Sequence, residues 1–108
     1  MALTFWNVNI NAKAWLGRTA LHVTVVDWHG SVVKALLHHK EIKLHMLDWW
    51  RRTPLLWAAE QGRVDIVKML LDTGKCQGSI DRSGWTPLSL AKANGHDEVV
   101  SLLEEYAI

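Results

Sequence analysis

One phrase is written three times along this chain: GRTALHVTVVDWHG from Gly17, RRTPLLWAAEQG from Arg51 and GWTPLSLAKANG from Gly84. The aligned threonines Thr19, Thr53 and Thr86 stand 34 and 33 residues apart, so one supersecondary unit recurs at nearly fixed period. A unit of that length cannot bury an apolar face alone. Neighbours must stack, and the flanks of the stack become one extended surface. A chain built this way is expected to act through that surface before any pocket.

After each threonine comes a short apolar stretch, a break and a second apolar stretch. In the middle unit Leu55, Ala58 and Ala59 recur at helical spacing before Gly62, and Ile66, Val67, Leu70 and Leu71 follow in the same rhythm, which predicts two antiparallel helices. Pro54 and Pro87 suit the first helical position, with Thr53 and Thr86 as N-caps. Gly62 and Gly95 are placed to close the first helices in the left-handed conformation. Asp65 and the Asp97, Glu98 pair put negative charge at the start of the second helices, where the helix dipole favours it. Those helices carry paired apolar positions, Val32 and Val33 with Leu36 and Leu37, Ile66 and Val67 with Leu70 and Leu71, and Val99 and Val100 with Leu103. Such pairs make a stripe wide enough to touch two neighbours. The polar segments HHKEIKLHMLDWW after Leu37 and DTGKCQGSIDRSGW after Leu71 are then projecting loops.

On these residues the chain resembles the ankyrin repeat family. The family pattern G-x-T-P-L-H-x-A-A-x-x-G-H, then x-x-V-V-x-x-L-L, is matched closely by the middle and last units and more loosely by the first, over residues 17–108. The run from Val8 to Lys13 is similar to the loop that ends a preceding repeat. The resemblance implies an all-α repeat solenoid of stacked helix-turn-helix units joined by β-hairpin-like loops. Residues 1–16 would be a partial N-terminal repeat or cap, 17–50 and 51–83 two repeats, and 84–108 a C-terminal capping repeat, in one domain. It also implies a curved stack whose fingers and first helices line a concave face that binds other proteins.

Departures from the pattern carry expectations of their own. In the first unit Trp28 stands for the helix-closing glycine, Ala20 for proline, and Thr24 and Val25 for two alanines, so this repeat should be the loosest. In the middle unit Arg51 replaces the turn glycine and Leu56 the usual histidine, which should alter the shape of its finger. Ser89, Lys92 and Glu104 are polar where other repeats are apolar or carry histidine, as suits the end of a stack. At the other end Leu21, Val23, Val25, Val32 and Leu36 have only a loop-like remnant before them. The chain is therefore expected to continue a longer array, or to have that face covered by a partner or by Phe5 and Trp6 folding back.

Seven tryptophans in 108 residues is the second unusual feature. Trp15 and Trp49 fall at fingertips and Trp50 and Trp85 flank the turns, either as binding anchors or lying on the neighbouring finger. Trp57, in the register of Val23 and Leu90, is expected to pack. The resemblance implies that partners are met by the fingertip pair, the residue after the turn and the two residues closing the first helix. These are Trp15, Leu16, Arg18, Val26 and Asp27; Trp49, Trp50, Arg52, Glu60 and Gln61; and Arg82, Ser83, Trp85, Ala93 and Asn94.

Other functions find little support. Net charge is +1, from 12 basic and 11 acidic residues dispersed along the chain, with no basic stripe for nucleic acid or anionic lipid. No apolar run is long enough to span a bilayer. Cys76 is alone, so no intrachain disulfide forms, and a reducing, intracellular setting, cytoplasmic or nuclear, is expected. His38, His39 and His45 have no recognised zinc spacing. His22, His29 and His96 occupy positions that by resemblance tie loops together. No nucleophile has a base beside it, and no glycine-rich loop opens a helix. The expectation is a monomeric, non-catalytic interaction module without metal or cofactor that binds a protein or peptide, with possible contact at the first-repeat face. The rival is a structural spacer or cap in a larger protein.

Overall fold

The computed structural model describes residues 9–76 and 78–108. Among them the chain forms six α-helices in three antiparallel pairs: α1 (Ala20–Val26) with α2 (Gly30–Leu37), α3 (Pro54–Gln61) with α4 (Val64–Asp72), and α5 (Pro87–Ala93) with α6 (Asp97–Glu105). Each first helix starts where its threonine stops it from starting earlier. Thr19, Thr53 and Thr86 hold extended backbone, and each hydroxyl accepts from the N–H three residues on, of His22, Leu56 and Ser89. This satisfies one donor that the helix leaves open. His22 and Ser89 return the bond, through Nδ1 at 3.1 Å and Oγ at 2.8 Å from the cap N–H; Leu56 has no atom to do so. Ala20 begins α1 as well as proline begins α3 and α5. The first helices end at left-handed residues, Gly62 at φ 74°, Gly95 at φ 72° and, as expected, Trp28 at φ 63°.

The helices form two layers. α3 packs on α1 and α5, and α4 packs on α2 and α6. Ala58, Ala59 and Ala91 are fully buried where first helices approach, and Ile66, Val67, Leu70, Val99 and Leu103 complete the core from the second layer. The β-branched pair of α1 is absorbed: Val25 is fully buried, and the Thr24 hydroxyl donates to the carbonyls of Ala20 and Leu21. The exposed N-terminal face is smaller than the sequence suggested, because Leu21 and Val25 belong to the core. Val23 and Val32 remain exposed, while Leu36 is half-buried. Phe5 and Trp6 lie outside the described residues. At the other end Lys92 and Glu104 are exposed.

Three fingers project from the helix pairs. Each is closed by two backbone bonds: Ala14 N–H to Arg18 C=O at 2.7 Å with Gly17 N–H to Ala14 C=O at 3.1 Å, Asp48 to Arg52 at 3.0 Å with Arg51 to Asp48 at 3.0 Å, and Asp81 to Trp85 at 3.0 Å with Gly84 to Asp81 at 3.1 Å. The turns bend at Gly17 (φ 71°), Arg51 (φ 59°) and Gly84 (φ 86°). The expected change of shape at Arg51 is therefore not found. The physical reason is Asp48, whose Oδ1 accepts from the N–H groups of Trp50 and Arg52, as Asp81 Oδ1 does from Ser83 and Trp85. The carboxylate clamps the turn, and Arg51 carries the strain. A left-handed non-glycine residue costs about 1–2 kcal/mol, so Arg51→Gly is expected to stabilise the protein by about 1 kcal/mol. A urea midpoint that stays put or falls would count against a strained Arg51.

Units are joined by side chains that reach neighbouring carbonyls. His22 Nδ1 accepts from Thr19, so its other nitrogen carries the proton and donates to Arg52 C=O at 2.9 Å. His96 Nε2 donates to Glu60 C=O at 2.8 Å, and Gln61 Nε2 to Val26 C=O at 3.1 Å. His29, in the register of His96, is exposed and makes no cap bond. Burial lowers the pKa of His22 below 6.5, against a smaller opposing effect of the Arg52 carbonyl. The unfolded chain therefore takes up this proton first as pH falls. The stability that neutral His22 contributes is fully present above pH 6.5 and is lost below it, by at most about 1.4 kcal/mol per pH unit. Denaturation at pH 7.5 and 5.5 is expected to show the loss, with a shallower fall in His22→Leu, the residue found at position 56. Equal pH dependence in both proteins would exclude His22 as the titrating group.

Candidate interaction face

The repeat register places Arg18, Arg52 and Trp85 just after the three turns, and Val23, Trp57 and Leu90 four residues after the capping threonines. What the register alone does not show is how these rows cross. The Trp57 indole is half-buried, and two guanidiniums meet its ring, Arg18 at 4.9 Å and Arg52 at 4.4 Å from the centroid. Trp50 meets it edge-on at 5.9 Å, and Arg18 also lies 5.5 Å from the Trp50 ring. Both contacts suit the charge distribution of an indole, negative on its face and positive at its edge. Trp57 does pack against the core, as expected, but its outer side is part of this surface.

Two buried carboxylates hold the cluster. Asp48 Oδ1 is committed to its turn, and Oδ2 accepts from the Trp57 indole N–H at 2.6 Å, so one side chain fixes both a finger and an aromatic wall. The same oxygen is the nearest carboxylate partner of Arg18, 3.9 Å from Nε, which is itself buried without a hydrogen bond among the described residues. Asp81 Oδ2 accepts from Arg52 Nε at 3.0 Å, and the Glu60 carboxylate accepts from Arg52 Nη1. Burial works against the Arg52 charge, but bonds to Glu60 and Asp81 outweigh it and raise its pKa. Burial likewise works against the Asp81 carboxylate, yet the Trp85 N–H, Arg52 and the Ser83 N–H hold its pKa below the ordinary value. Beside this group opens a cleft of about 240 Å3, walled by Trp50 and Trp57, floored by Arg52, Glu60 and Asp81, and rimmed by Arg82 and Ser83.

The fingertips lie beyond the cleft. Trp15 is 79% exposed and Trp49 59%, with Trp50 and Trp85 also exposed. Trp49 lies on the preceding finger: a Cβ on Gly17 would come within 2.6 Å of its Cδ1. Adjacent fingers are joined by Trp49 N–H to Leu16 C=O at 3.0 Å and Arg82 N–H to Trp50 C=O at 3.1 Å. Arg82 Nε adds a bond to Trp49 C=O at 2.6 Å.

The structure thus gathers Arg18, Trp49, Trp50, Arg52, Glu60, Arg82 and Ser83 around the second and third fingers. Trp15 and Leu16 sit on the first finger, and Trp85 stands beside the third. The helix-closing candidates lie further along the first helices and are partly engaged. Gln61 accepts from the Trp28 indole N–H at 2.8 Å while donating to Val26 C=O, and Asn94 Nδ2 donates to Leu90 C=O. Asp27 and Ala93 are exposed. The sequence reading missed Trp57, Asp48 and Asp81 as the frame of the site, and the exposed cations Lys13 and Arg51. Their signal was register alone. It also missed an aromatic contact outside this cluster, Arg63 at 4.6 Å from the ring of Trp28.

Among the described residues no three His, Cys, Asp or Glu side chains gather closely enough to hold a metal, and no helix is long and apolar enough to cross a membrane. Burial pushes the Cys76 thiol up to about 11, so it stays protonated at neutral pH.

The family model for ankyrin repeats, in three copies, matches residues 2–77 and again 28–108. The chain belongs to the ankyrin repeat family. Its ankyrin relatives include the 26S proteasome non-ATPase regulatory subunit 10 of Dictyostelium discoideum, 40% identical over 75 residues, which cover 68% of this chain and 32% of that protein. A Rickettsia bellii chain named only as an ankyrin repeat protein is 31% identical over 99 residues, 91% of this chain and 55% of the other. The glycerophosphocholine phosphodiesterase GDE1 of Candida albicans is 35% identical over 88 residues, 79% of this chain but 7% of that enzyme. This ankyrin chain therefore spans about half or less of the relatives it matches. Ankyrin repeats generally mediate protein–protein interactions and are typically non-catalytic, even where, as in the phosphodiesterase, the repeats accompany an enzyme.

Proposed function

We propose that this ankyrin chain is a non-catalytic module that recognises a protein or peptide through its concave face and fingertips. The observation that carries the reading is the exposed Trp50 set edge-on against Trp57, with Arg18 and Arg52 on the indole faces and Arg52 bonded in turn to Glu60 and Asp81. Side chains already fixed before binding lose less entropy on contact, and Trp and Arg are favoured where binding energy concentrates. In this reading the repeats run 17–50, 51–83 and 84–108, and the chain works as an intracellular monomer with no nucleic-acid or membrane partner. The rival, a spacer that binds nothing, draws support from Trp49 lying on Gly17 as a stiffening contact would.

The double variant Trp49→Ala with Trp50→Ala separates the two. Recognition predicts loss of a co-purifying partner while the urea midpoint falls only modestly. A spacer predicts loss of stability with no captured protein changed. Trp15→Ala is a cleaner companion, since that indole has little left to lose in packing.

A further inference from the structure

The fingertips carry exposed charge of one sign. Residues 13–18, 48–52 and 81–85 contain two carboxylates, Asp48 and Asp81, and both are buried and bonded to N–H groups of their own turns. The exposed charges are Lys13, Arg51 and Arg82, one on each finger, interleaved with the indoles. Each finger is a two-armed hairpin whose arm bonds to the neighbouring finger, so fingers recur every two strand spacings, about 10 Å. A peptide in the polyproline II conformation advances about 3.1 Å per residue with three residues per turn, so residues three apart share one face. Every third residue of a peptide laid along the row therefore meets the next finger. At the equivalent tip position the row reads Trp15, Trp49, Arg82.

We infer that this row binds an acidic peptide segment in the polyproline II conformation, carrying apolar side chains three residues apart and an aspartate or glutamate three residues beyond. The apolar pair rests on Trp15 and Trp49, and the carboxylate meets Arg82. The inference rests on the reading of the chain as an interaction module and names the chemistry of the partner. Trp49 is held against Gly17, and Arg82 is anchored through Nε to the Trp49 carbonyl, with its terminal nitrogens unengaged among the described residues. Both are pre-set for a planar or carboxylate group. A flat lipid surface would not reach the side-chain-sized cleft behind the tips, and three exposed cations match few phosphates of a nucleic acid, whose affinity grows with the number neutralised.

The test is a random dodecapeptide library on phage, selected against the full chain and against Arg82→Glu. The expected wild-type pool is enriched in apolar residues three apart followed by an acid at the same interval. In the Arg82→Glu pool the acid gives way to lysine or arginine. Synthetic wild-type winners should bind Trp15→Ala at least tenfold more weakly, with the unfolding midpoint of that variant unchanged, and should outcompete phosphatidylserine vesicles and oligouridine. Strong binders that lack the pattern, or that bind both variants unchanged, overturn the fingertip assignment and leave the interaction module standing. Preferential binding of vesicles or oligouridine overturns it as well. A library that yields no binder at all counts against both readings.

Discussion

Gly62→Ala is expected to lower stability by about 3 kcal/mol, while Gly95→Ala, at the same position of the next repeat, should cost only about 1–2 kcal/mol. Both glycines are left-handed, at φ 74° and 72°, and share the steric cost of placing an L side chain there. Their surroundings differ. A Cβ on Gly62 would fall 2.4–2.6 Å from the His96 ring, whereas nothing lies within 4 Å of one on Gly95. The ring must move as a whole, and with it goes the bond from Nε2 to Glu60 C=O. Losing a partly buried hydrogen bond adds about 1–2 kcal/mol. Urea denaturation of the two variants gives the comparison. Equal midpoints would mean that His96 does not lie on Gly62.

Asp48→Ala is expected to cost about 3–4 kcal/mol and to loosen the whole interaction face. The carboxylate satisfies two turn N–H groups and the Trp57 indole, and it is the nearest anion to a buried guanidinium, Arg18. Removing one member of a buried charged group leaves the others unpaired, typically at about 3–5 kcal/mol. Asp48→Asn separates the roles. Its remaining oxygen can still hold the turn, but its amide sets a donor against the indole donor, so about 1–3 kcal/mol should be lost for the unsatisfied pair. Partner binding should fall with stability in Asp48→Ala and with the Trp57 contact in Asp48→Asn. A fully stable Asp48→Asn would show that the indole bond contributes nothing.

The period of the threonines made the helix pairs, caps and closing turns legible, because these are local features repeated in register. The tryptophan-bearing fingers were legible for the same reason. The site's frame was not, because it forms between units: Arg18 comes from one repeat, Trp57 from the next and Asp81 from the loop after that. No spacing along one chain reveals such a crossing. Arg51 shows the opposite failure. The rule that glycine belongs at that turn was sound, but the Asp48 clamp two bonds strong overrides the preference of a single residue. At the N-terminal face Leu21 and Val25 looked uncovered because periodicity marks an apolar face without saying which neighbour closes it.

Three of the side chains that sew the repeats together end on backbone carbonyls: His22 on Arg52, Gln61 on Val26 and His96 on Glu60. Every amino acid offers that same acceptor. These three bonds are therefore indifferent to which side chain the neighbour wears, and a change at residues such as 49 and 50 leaves them in place even where it removes packing on Gly17 or Trp57. A lineage, or an engineer, can rewrite what the fingers recognise while the stitching underneath stays as it is.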